Sequence, residues 1–365
     1  MKANKAYKFR LYPNAEQKIL FAKTFGCVRF VYNRLLADKI AHYNETGKML
    51  HNTPAPLKKE YAWLREVDSL ALANAQLHLQ TAFRNCFRDK SVGFPQFKNK
   101  KSGRQSYTTN NQKGSVRIED GRLRLPKAGF VRMKQHREIP DGHTIKSVTI
   151  SREPSGKYYA SILTEYEADI PVIILDPENS LGLDYSSPHF YKDSKNNSAD
   201  MPHFYREAED HLAREQRKLS KMVKGSSNYQ KQKIRVANAH EKVRSCRLDW
   251  QHKESKKLAD SYDYICIEDI DYQGMAQGLH LAKATNDNAF GQFRSLLAYK
   301  MAERGKKLIV IDKWYPSSKT CRFCGRINHD LQLGQSEWDC PCGAHLLRDH
   351  NAAINIRNKG LEILT

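Results

Sequence analysis

Half of the chain's eight cysteines fall between positions 321 and 342, as Cys321-x2-Cys324 and, fifteen residues on, Cys340-x-Cys342. No other feature restricts the local fold so strongly. A segment this short cannot bury a core of its own and needs a staple. Disulfides belong to oxidising compartments, whereas Cys27, Cys86, Cys246 and Cys266 sit singly in apolar or helical contexts and read as reduced core thiols. The staple expected here is a metal, the alternative being unligated thiols in a degenerate knuckle. Four thiolates suit one tetrahedral Zn²⁺, and with every position filled by protein that zinc is structural rather than catalytic. Gly325 and Gly343 follow the two pairs, where a knuckle turns close to its ion. The second pair is one residue short of Cys-x-x-Cys, which implies a tighter bite, and His345 could substitute for a poorly placed sulfur.

The chain has 365 residues, enough for two or three domains with real cores. Its 61 Lys and Arg stand against 40 Asp and Glu, a formal net charge of +21. An excess that large, spread along the whole chain, favours a polyanionic partner, nucleic acid first. The longest apolar runs, such as 172–175 and 308–311, are far too short to span a membrane. The opening MKANKAYKFRLYP lacks the apolar stretch of a secretory signal, so a cytoplasmic protein is expected.

Along the chain, residues 6–11 alternate like a strand and stop at Pro13-Asn14; Asn14 and Gln17 form a capping-box pattern for a helix reaching about residue 44. Further helices are expected at 55–66 and 69–87. Residues 92–111 are basic, polar and aromatic, and read as a loop leading into strands at 116–118, 122–125, 130–133, 145–151 and 158–166. With the first strand these make a small barrel interrupted by a helical insert. Beyond residue 169 the texture is α/β: two long polar helical stretches at 202–222 and 228–260 form a hairpin, short strands recur at 264–267 and 307–311, and 290–304 is an amphipathic helix.

Asp184 and Glu268 each close a short apolar run, and Asp349 opens a helix over 351–358. Any one of them alone would read as a cap. Together, two acids at strand ends and one at a helix start can converge on one sheet edge. Carboxylates there could hold two Mg²⁺ ions about 3.5–4 Å apart, an arrangement suited to in-line phosphodiester hydrolysis. Asp269 follows Glu268 directly, would point to the opposite face, and reads as structural.

The motifs G-L-D (182–184), I-C-I-E-D-I (265–270) and R-D-H-N-A-A-I-N-I (348–356) resemble the three split motifs of a RuvC-like, RNase-H-fold nuclease. With F-R-L-Y-P-N (9–14), G-F-P-Q-F (93–97) and W-Y-P-S-S-K-T-C-R-F-C-G (314–325), the chain resembles the TnpB/OrfB family of insertion-sequence proteins related to type V CRISPR effectors, from about residue 6 to 358. The resemblance implies an α/β multidomain protein. A wedge-like β-barrel (1–13 and 92–168) would carry a helical recognition insert (14–91). A RuvC-like nuclease domain (169–313 and 347–365) would carry a zinc-ribbon insert that positions target nucleic acid (314–346).

The same resemblance implies an RNA-guided DNA endonuclease, monomeric in its ribonucleoprotein and nucleoid-associated when bound. Its guide RNA would be transcribed from the element's end and pair with target DNA beside a short flanking motif. The catalytic and Mg²⁺-binding acids would be Asp184, Glu268 and Asp349. Two departures from the family pattern stand out: Tyr-Ser-Ser-Pro-His-Phe-Tyr after Asp184, and Leu347 where members carry an acid two residues before Asp349. Both leave the triad intact and bear on the cleavage rate more than on the chemistry.

Lys98, Lys100, Lys101 and Arg104, with Phe94, Phe97 and Tyr107 nearby, could contact phosphates and stack on bases, or form a solvated loop. The basic residues of the 202–260 hairpin are open to the same two readings. Other functions are a cleavage-impaired, guide-dependent DNA-binding regulator or a transposition accessory protein. A strand-transferring transposase of the tyrosine class needs His-x-His, and none of the 14 histidines lies two positions from another.

Overall fold

Strand β1 (Lys2–Tyr12) turns Tyr7, Phe9 and Leu11 inward and Lys8, Arg10 and Tyr12 outward, the period-two pattern of a strand covered on one face. In the computed structural model, which describes residues 1–101, 105–186, 189–202, 204–270, 288–332 and 334–364, the chain forms two units, 1–169 and 170–365.

In the first unit β1 lies between β7 (Tyr158–Glu167) and β5 (Gly129–Lys134). The full order is β2-β6-β7-β1-β5-β4-β3, all antiparallel, with β2 at Gln105–Asn110, β3 at Arg117–Glu119, β4 at Arg122–Leu125 and β6 at Thr144–Arg152. The edges β2 and β3 do not pair among the described residues, so the expected barrel is a half-barrel. Helices α1 (Ala15–Thr46) and α3 (Ser69–Arg88) pack on this sheet and share its core, which runs from Phe9 through Phe21 and Leu72 to Ile162. The capping box holds: Asn14 Oδ1 accepts from the Gln17 N–H at 2.8 Å, and the Asn14 N–H donates to Gln17 Oε1 at 3.1 Å.

Two expectations are corrected in this unit. The helix expected over 55–66 is α2 (Pro54–Glu60) followed by a 3₁₀ turn (Ala62–Glu66); Tyr61 between them is extended and sets its ring edge-on to Phe30 at 4.8 Å. Strand β2 lies in the stretch expected as loop, because its inward residues are Tyr107 and Thr109, neither of them aliphatic. Thr109 is fully buried and its hydroxyl donates to the Asp68 carboxylate, which makes a polar inward position affordable. Of the four single cysteines, Cys27 and Cys266 are buried, whereas Cys86 and Cys246 are only partly so.

In the second unit a five-stranded sheet runs β10-β9-β8-β11-β12. Strands β8 (Ser180–Tyr185), β11 (Tyr264–Glu268) and β12 (Lys307–Ile311) are parallel, and β9 (Tyr191–Asp193) and β10 (Ser198–Ala199) extend β8 as an antiparallel meander. Helices α4 (Phe204–Ser220) and α5 (Ser227–Ser261) form the expected hairpin. Odd-numbered Leu181, Leu183, Ile265 and Ile267 pack with Phe293 and Leu297 of α6 (Phe290–Glu303) on one face. Even-numbered Tyr264 and Cys266 face the other way and pack with Ile356 of α7 (Arg348–Glu362).

Helix α7 lies so close to the sheet that two glycines are required. A Cβ at Gly182 would collide with the Ala353 carbonyl oxygen and lie 2.8 Å from the Arg357 nitrogen; one at Gly360 would collide with the Cys266 side chain. Backbone atoms of a packed helix cannot step aside as a side-chain tip can. Gly182→Ala is expected to destabilise this unit by about 3 kcal/mol. Gly26→Ala, in the middle of α1 with nothing within 4 Å, should be neutral or stabilising by up to about 1 kcal/mol. Urea unfolding of the two variants checks this; equal midpoints would refute the close-packing account.

Candidate active site and metal centre

Side-chain parity brings two of the three acids together. Asp184 and Glu268 lie one step beyond the Leu183–Ile267 pair of the parallel strands β8 and β11. Residues two apart on a strand share a face, so Asp184 sits with Gly182, and Glu268 with Cys266, on the side covered by α7. The helix supplies the third acid in its first turn. Because i and i+4 share a helix face, Asp349 lies in line with Ala353, which packs against Gly182. The Ser186 hydroxyl, just past the end of β8, donates to Asp349 Oδ2 at 3.4 Å.

The electrostatics agree with this geometry. Burial pushes the Asp184 carboxyl well above the usual carboxylate range, the Asp349 and Glu268 charges push it further, and Arg348 pulls it partly back. Burial alone pushes Glu268 up to about 7. Asp184, raised by the charges of the other two acids, stands with them in an oxygen-only donor set whose repulsion a hard divalent cation would relieve, so the site fits Mg²⁺. Asp269 points away from this cluster and takes Arg294 Nη1 at 2.5 Å, and His189 pairs with Asp200 at 2.6 Å; neither joins the acids.

The four clustered cysteines come together as expected. Their sulfurs all lie within 4.8 Å of one another, with Cys321–Cys342 at 3.8 Å and Cys324–Cys340 at 3.5 Å. A zinc ion with bonds of about 2.3 Å to four sulfurs places them about 3.8 Å apart, so the cluster fits Zn²⁺. The short knuckle is absorbed by tightening its turn. In the first knuckle the Gly325 N–H donates to the Cys321 carbonyl and the Cys321 N–H to the Arg326 carbonyl. In the second the Gly343 N–H donates to the Cys340 carbonyl and the Cys340 N–H to the Ala344 carbonyl, each bond one residue shorter. Both glycines have positive φ, 75° and 91°. Trp338, Leu331 and Leu346 pack around Cys321 and Cys340, and strands β13 (Glu337–Asp339) and β14 (His345–Leu347) close the module. His345 stands outside the sulfur cluster, exposed, with Nδ1 at 2.7 Å from Asp339 and Nε2 at 3.4 Å from Glu337.

The basic loop is less uniform than expected. Lys98 is anchored to α1, exchanging two 2.8 Å hydrogen bonds between its backbone and the Asn33 amide, and its ammonium lies over the Tyr32 ring at 4.1 Å. Tyr107, expected as a stacking platform, is buried against Phe21 and Phe25. Lys100 and Lys101 are exposed, as is Phe97; Arg104 lies outside the described residues. Among the described residues no helix is long and apolar enough to cross a membrane.

The sequence reading missed the residues that tie the cysteine module to α7. Asn351 and Asn355, one helical turn apart and both buried, bond the backbone of residues 317–322. The signal was present as two asparagines at i and i+4 inside R-D-H-N-A-A-I-N-I, a residue type that disfavours helix interiors unless its amide has work there.

Family models match along the chain: a "Helix-turn-helix domain" over residues 1–48, a "Probable transposase" over 161–278, and a "Cas12f1-like, TNB domain" over 290–356. Residues 1–48 here hold strand β1 and one unbroken 32-residue helix. A "Putative RNA-guided DNA endonuclease" of Streptomyces pristinaespiralis is 35% identical over 367 residues, covering 98% of this chain and 89% of the relative. A protein of Escherichia coli strain K12, "Putative RNA-guided DNA endonuclease InsQ", is 30% identical over 388 residues, covering 100% of this chain and 94% of its own. Among solved structures, the protein chain of a Cas12f1–sgRNA–target DNA complex superposes with a TM-score of 0.63 at 12% identity, over 98% of this chain and 99% of its own, a likeness of fold.

Proposed function

Because the chain belongs to the TnpB/OrfB family of insertion-sequence proteins, we propose that it is an RNA-guided DNA endonuclease of a transposable element. Its partners are a guide RNA and the DNA that guide matches. The single observation that carries the reading is the meeting of Asp184, Glu268 and Asp349 on one sheet edge, close enough for the other two to raise Asp184. Relatives of near-full length described as RNA-guided DNA endonucleases support the substrate class, and the +21 charge supports a polyanionic partner. The working division is a wedge-like half-barrel from 1–13 and 92–168 with the helical insert 14–91, and a RuvC-like nuclease from 169–313 and 347–365 with the zinc-ribbon insert 314–346.

In this reading Asp184, Glu268 and Asp349 would hold two Mg²⁺ ions, which would supply activation of the attacking water and charge neutralisation at the leaving oxygen. The chain's own contribution is positioning. Strands β8 and β11 fix Asp184 and Glu268 side by side, and the first turn of α7 brings Asp349 across from them. The Ser186 hydroxyl, from the end of β8, hydrogen-bonds the Asp349 carboxylate and orients it. Burial around Asp184 and Glu268 lowers the local dielectric and strengthens their hold on a cation.

Burial also sets the pH dependence. At pH 6 Glu268, with its carboxyl pushed to about 7, holds a proton that a cation must displace. Through Glu268 alone the Mg²⁺ concentration for half-maximal cutting should therefore fall about fivefold from pH 6 to pH 7 and about twofold more by pH 8, and Asp184, raised in the same direction, steepens that fall. In the metal-free chain the sign reverses for stability. The folded state favours the protonated acid, so the Glu268 contribution declines as pH rises from its ordinary value near 4.5 through about 7. Mg²⁺ titrations at three pH values check the first statement, and a flat half-saturation would contradict it.

The function itself is tested by incubating the purified ribonucleoprotein with guide-matched duplex DNA and Mg²⁺. Cutting that needs both guide and match is expected. Tight, guide-dependent binding with no cut, under conditions in which an active relative cuts, would sink the nuclease reading in favour of a regulator.

A further inference from the structure

The peptide groups on either side of Cys321 are both held by one side chain of α7. Asn351 Nδ2 donates to the Thr320 carbonyl at 2.7 Å, and Asn351 Oδ1 accepts from the Arg322 N–H at 3.1 Å. One turn later Asn355 Nδ2 donates to the carbonyls of Ser317 at 2.8 Å and Thr320 at 2.6 Å. Asn351 is fully buried and Asn355 nearly so, at 0% and 4% exposure. A buried amide that loses its partners costs about 1–3 kcal/mol, so these bonds cannot be exchanged for water. His350, between Asp349 and Asn351, reaches both ways: Nδ1 lies 3.3 Å from Arg322 Nη1, and Nε2 lies 3.3 Å from the Ser194 carbonyl.

The opposite face of the same helix carries Asp349, Ala353 and Arg357. Ala353 is pressed on Gly182, and Arg357 Nε donates to Ser180 Oγ at 2.6 Å. The helix is thus clamped between strand β8 and the first zinc knuckle, and its first turn holds both the acid and the clamp. A zinc ion would hold the Cys321 sulfur on one side, and Asn351 holds the peptide groups flanking Cys321 on the other. A metal ligand's outer partner commonly carries about 10- to 100-fold in metal affinity, and a rigid first helical turn carries any shift of that partner to Asp349.

We infer that Asn351 is a positioning residue that couples metal occupancy of the four-cysteine site to the placement of Asp349, so that loss of zinc loosens the acidic site. The inference rests on Asp184, Glu268 and Asp349 forming a divalent-cation site. Because binding couplings are reciprocal, cation binding by the acids should in turn tighten zinc binding.

The test uses the full-length protein and two readouts that need no DNA cleavage. Zinc release to a chelating dye is followed by absorbance, and Mn²⁺ binding at the acids by the electron paramagnetic resonance of free Mn²⁺. Zinc-stripped wild type should bind Mn²⁺ about tenfold more weakly than the zinc-loaded protein. Asn351→Ala should release zinc about tenfold faster and show the same weakened Mn²⁺ binding. Stripping zinc from Asn351→Ala should weaken Mn²⁺ little further, since both changes cut one linkage. Asn351→Asp, which keeps the acceptor for the Arg322 N–H and loses the donor to Thr320, should fall between.

A merely structural asparagine would lower the melting temperature and leave Mn²⁺ affinity at the wild-type value. That result, or unchanged Mn²⁺ affinity on stripping wild type, overturns the coupling. Stripping wild type needs no variant, so misfolding of Asn351→Ala cannot shelter the inference. Asp349→Asn separates the two claims: if it weakens Mn²⁺ while Asn351→Ala does not, the coupling alone falls, and if it binds Mn²⁺ like wild type, the acidic site falls with it.

Discussion

Replacement of any one acid, Asp184→Asn, Glu268→Gln or Asp349→Asn, is expected to slow cutting of a guide-matched duplex by about a thousandfold or more, a loss of about 4 kcal/mol in transition-state stabilisation. The isosteric amides keep volume and hydrogen bonding, so folding and guide binding should stay near the wild-type level. The effect is large because in the proposed site the three groups act as one unit, two strand ends and one helix start sharing a cation, and a neutral amide removes a charge and one of the two oxygens that could bind it. Asp184→Asn carries a second signature. It removes a carboxylate that burial and two neighbouring acids oppose, so the metal-free variant should be more stable than metal-free wild type at pH 8. Single-turnover cleavage beside a filter-binding assay decides the first point, and thermal melts with chelator decide the second. Cutting at the wild-type rate by any of the three variants would remove that residue from the site.

Loss of the four-sulfur site should be the other large effect. Cys321→Ser or Cys340→Ser is expected to bring bound zinc from one ion per chain to nearly none. The module over 314–346 should then unfold, since a structural zinc contributes on the order of 10 kcal/mol and the apolar cluster around Trp338 is small. Cys321 and Cys340 are buried, whereas Cys324 and Cys342 are exposed, so serine at the exposed pair should be tolerated better. Metal analysis by mass spectrometry, with limited proteolysis of residues 314–346, measures both outcomes. A chain that purifies without zinc and resists proteolysis there would show that the cysteines stand in a metal-independent fold.

How much could be read before folding differs from element to element. The helix start at Asn14 was legible because a capping box is local: Asn14 and Gln17 satisfy each other without help from the rest of the chain. The helical hairpin and the strand ends were legible for the same reason, through their own periodicity. Strand β2 was not, because Thr109 becomes an acceptable inward residue only when Asp68, 41 positions away, accepts its hydroxyl. Tyr107 looked like a base-stacking ring from its basic neighbours and is core because α1 folds over it. Lys98 looked free for phosphate and lies on Tyr32.

The amino-acid sequence alone determined the chemistry available to this protein: three acids at element ends, four thiols in two knuckles, and a positive charge that asks for a polyanion. These are properties of residue type and short-range spacing, which survive without knowledge of any distant contact. Only the tertiary structure decided how those groups meet. Gly182 and Gly360 let α7 settle onto the sheet close enough for Asp349 to face Asp184 and Glu268, and two buried asparagine amides bind that helix to the first knuckle. Both arrangements depend on atoms more than 28 residues apart in sequence making contacts of about 3 Å, and no local pattern encodes a distance of that kind.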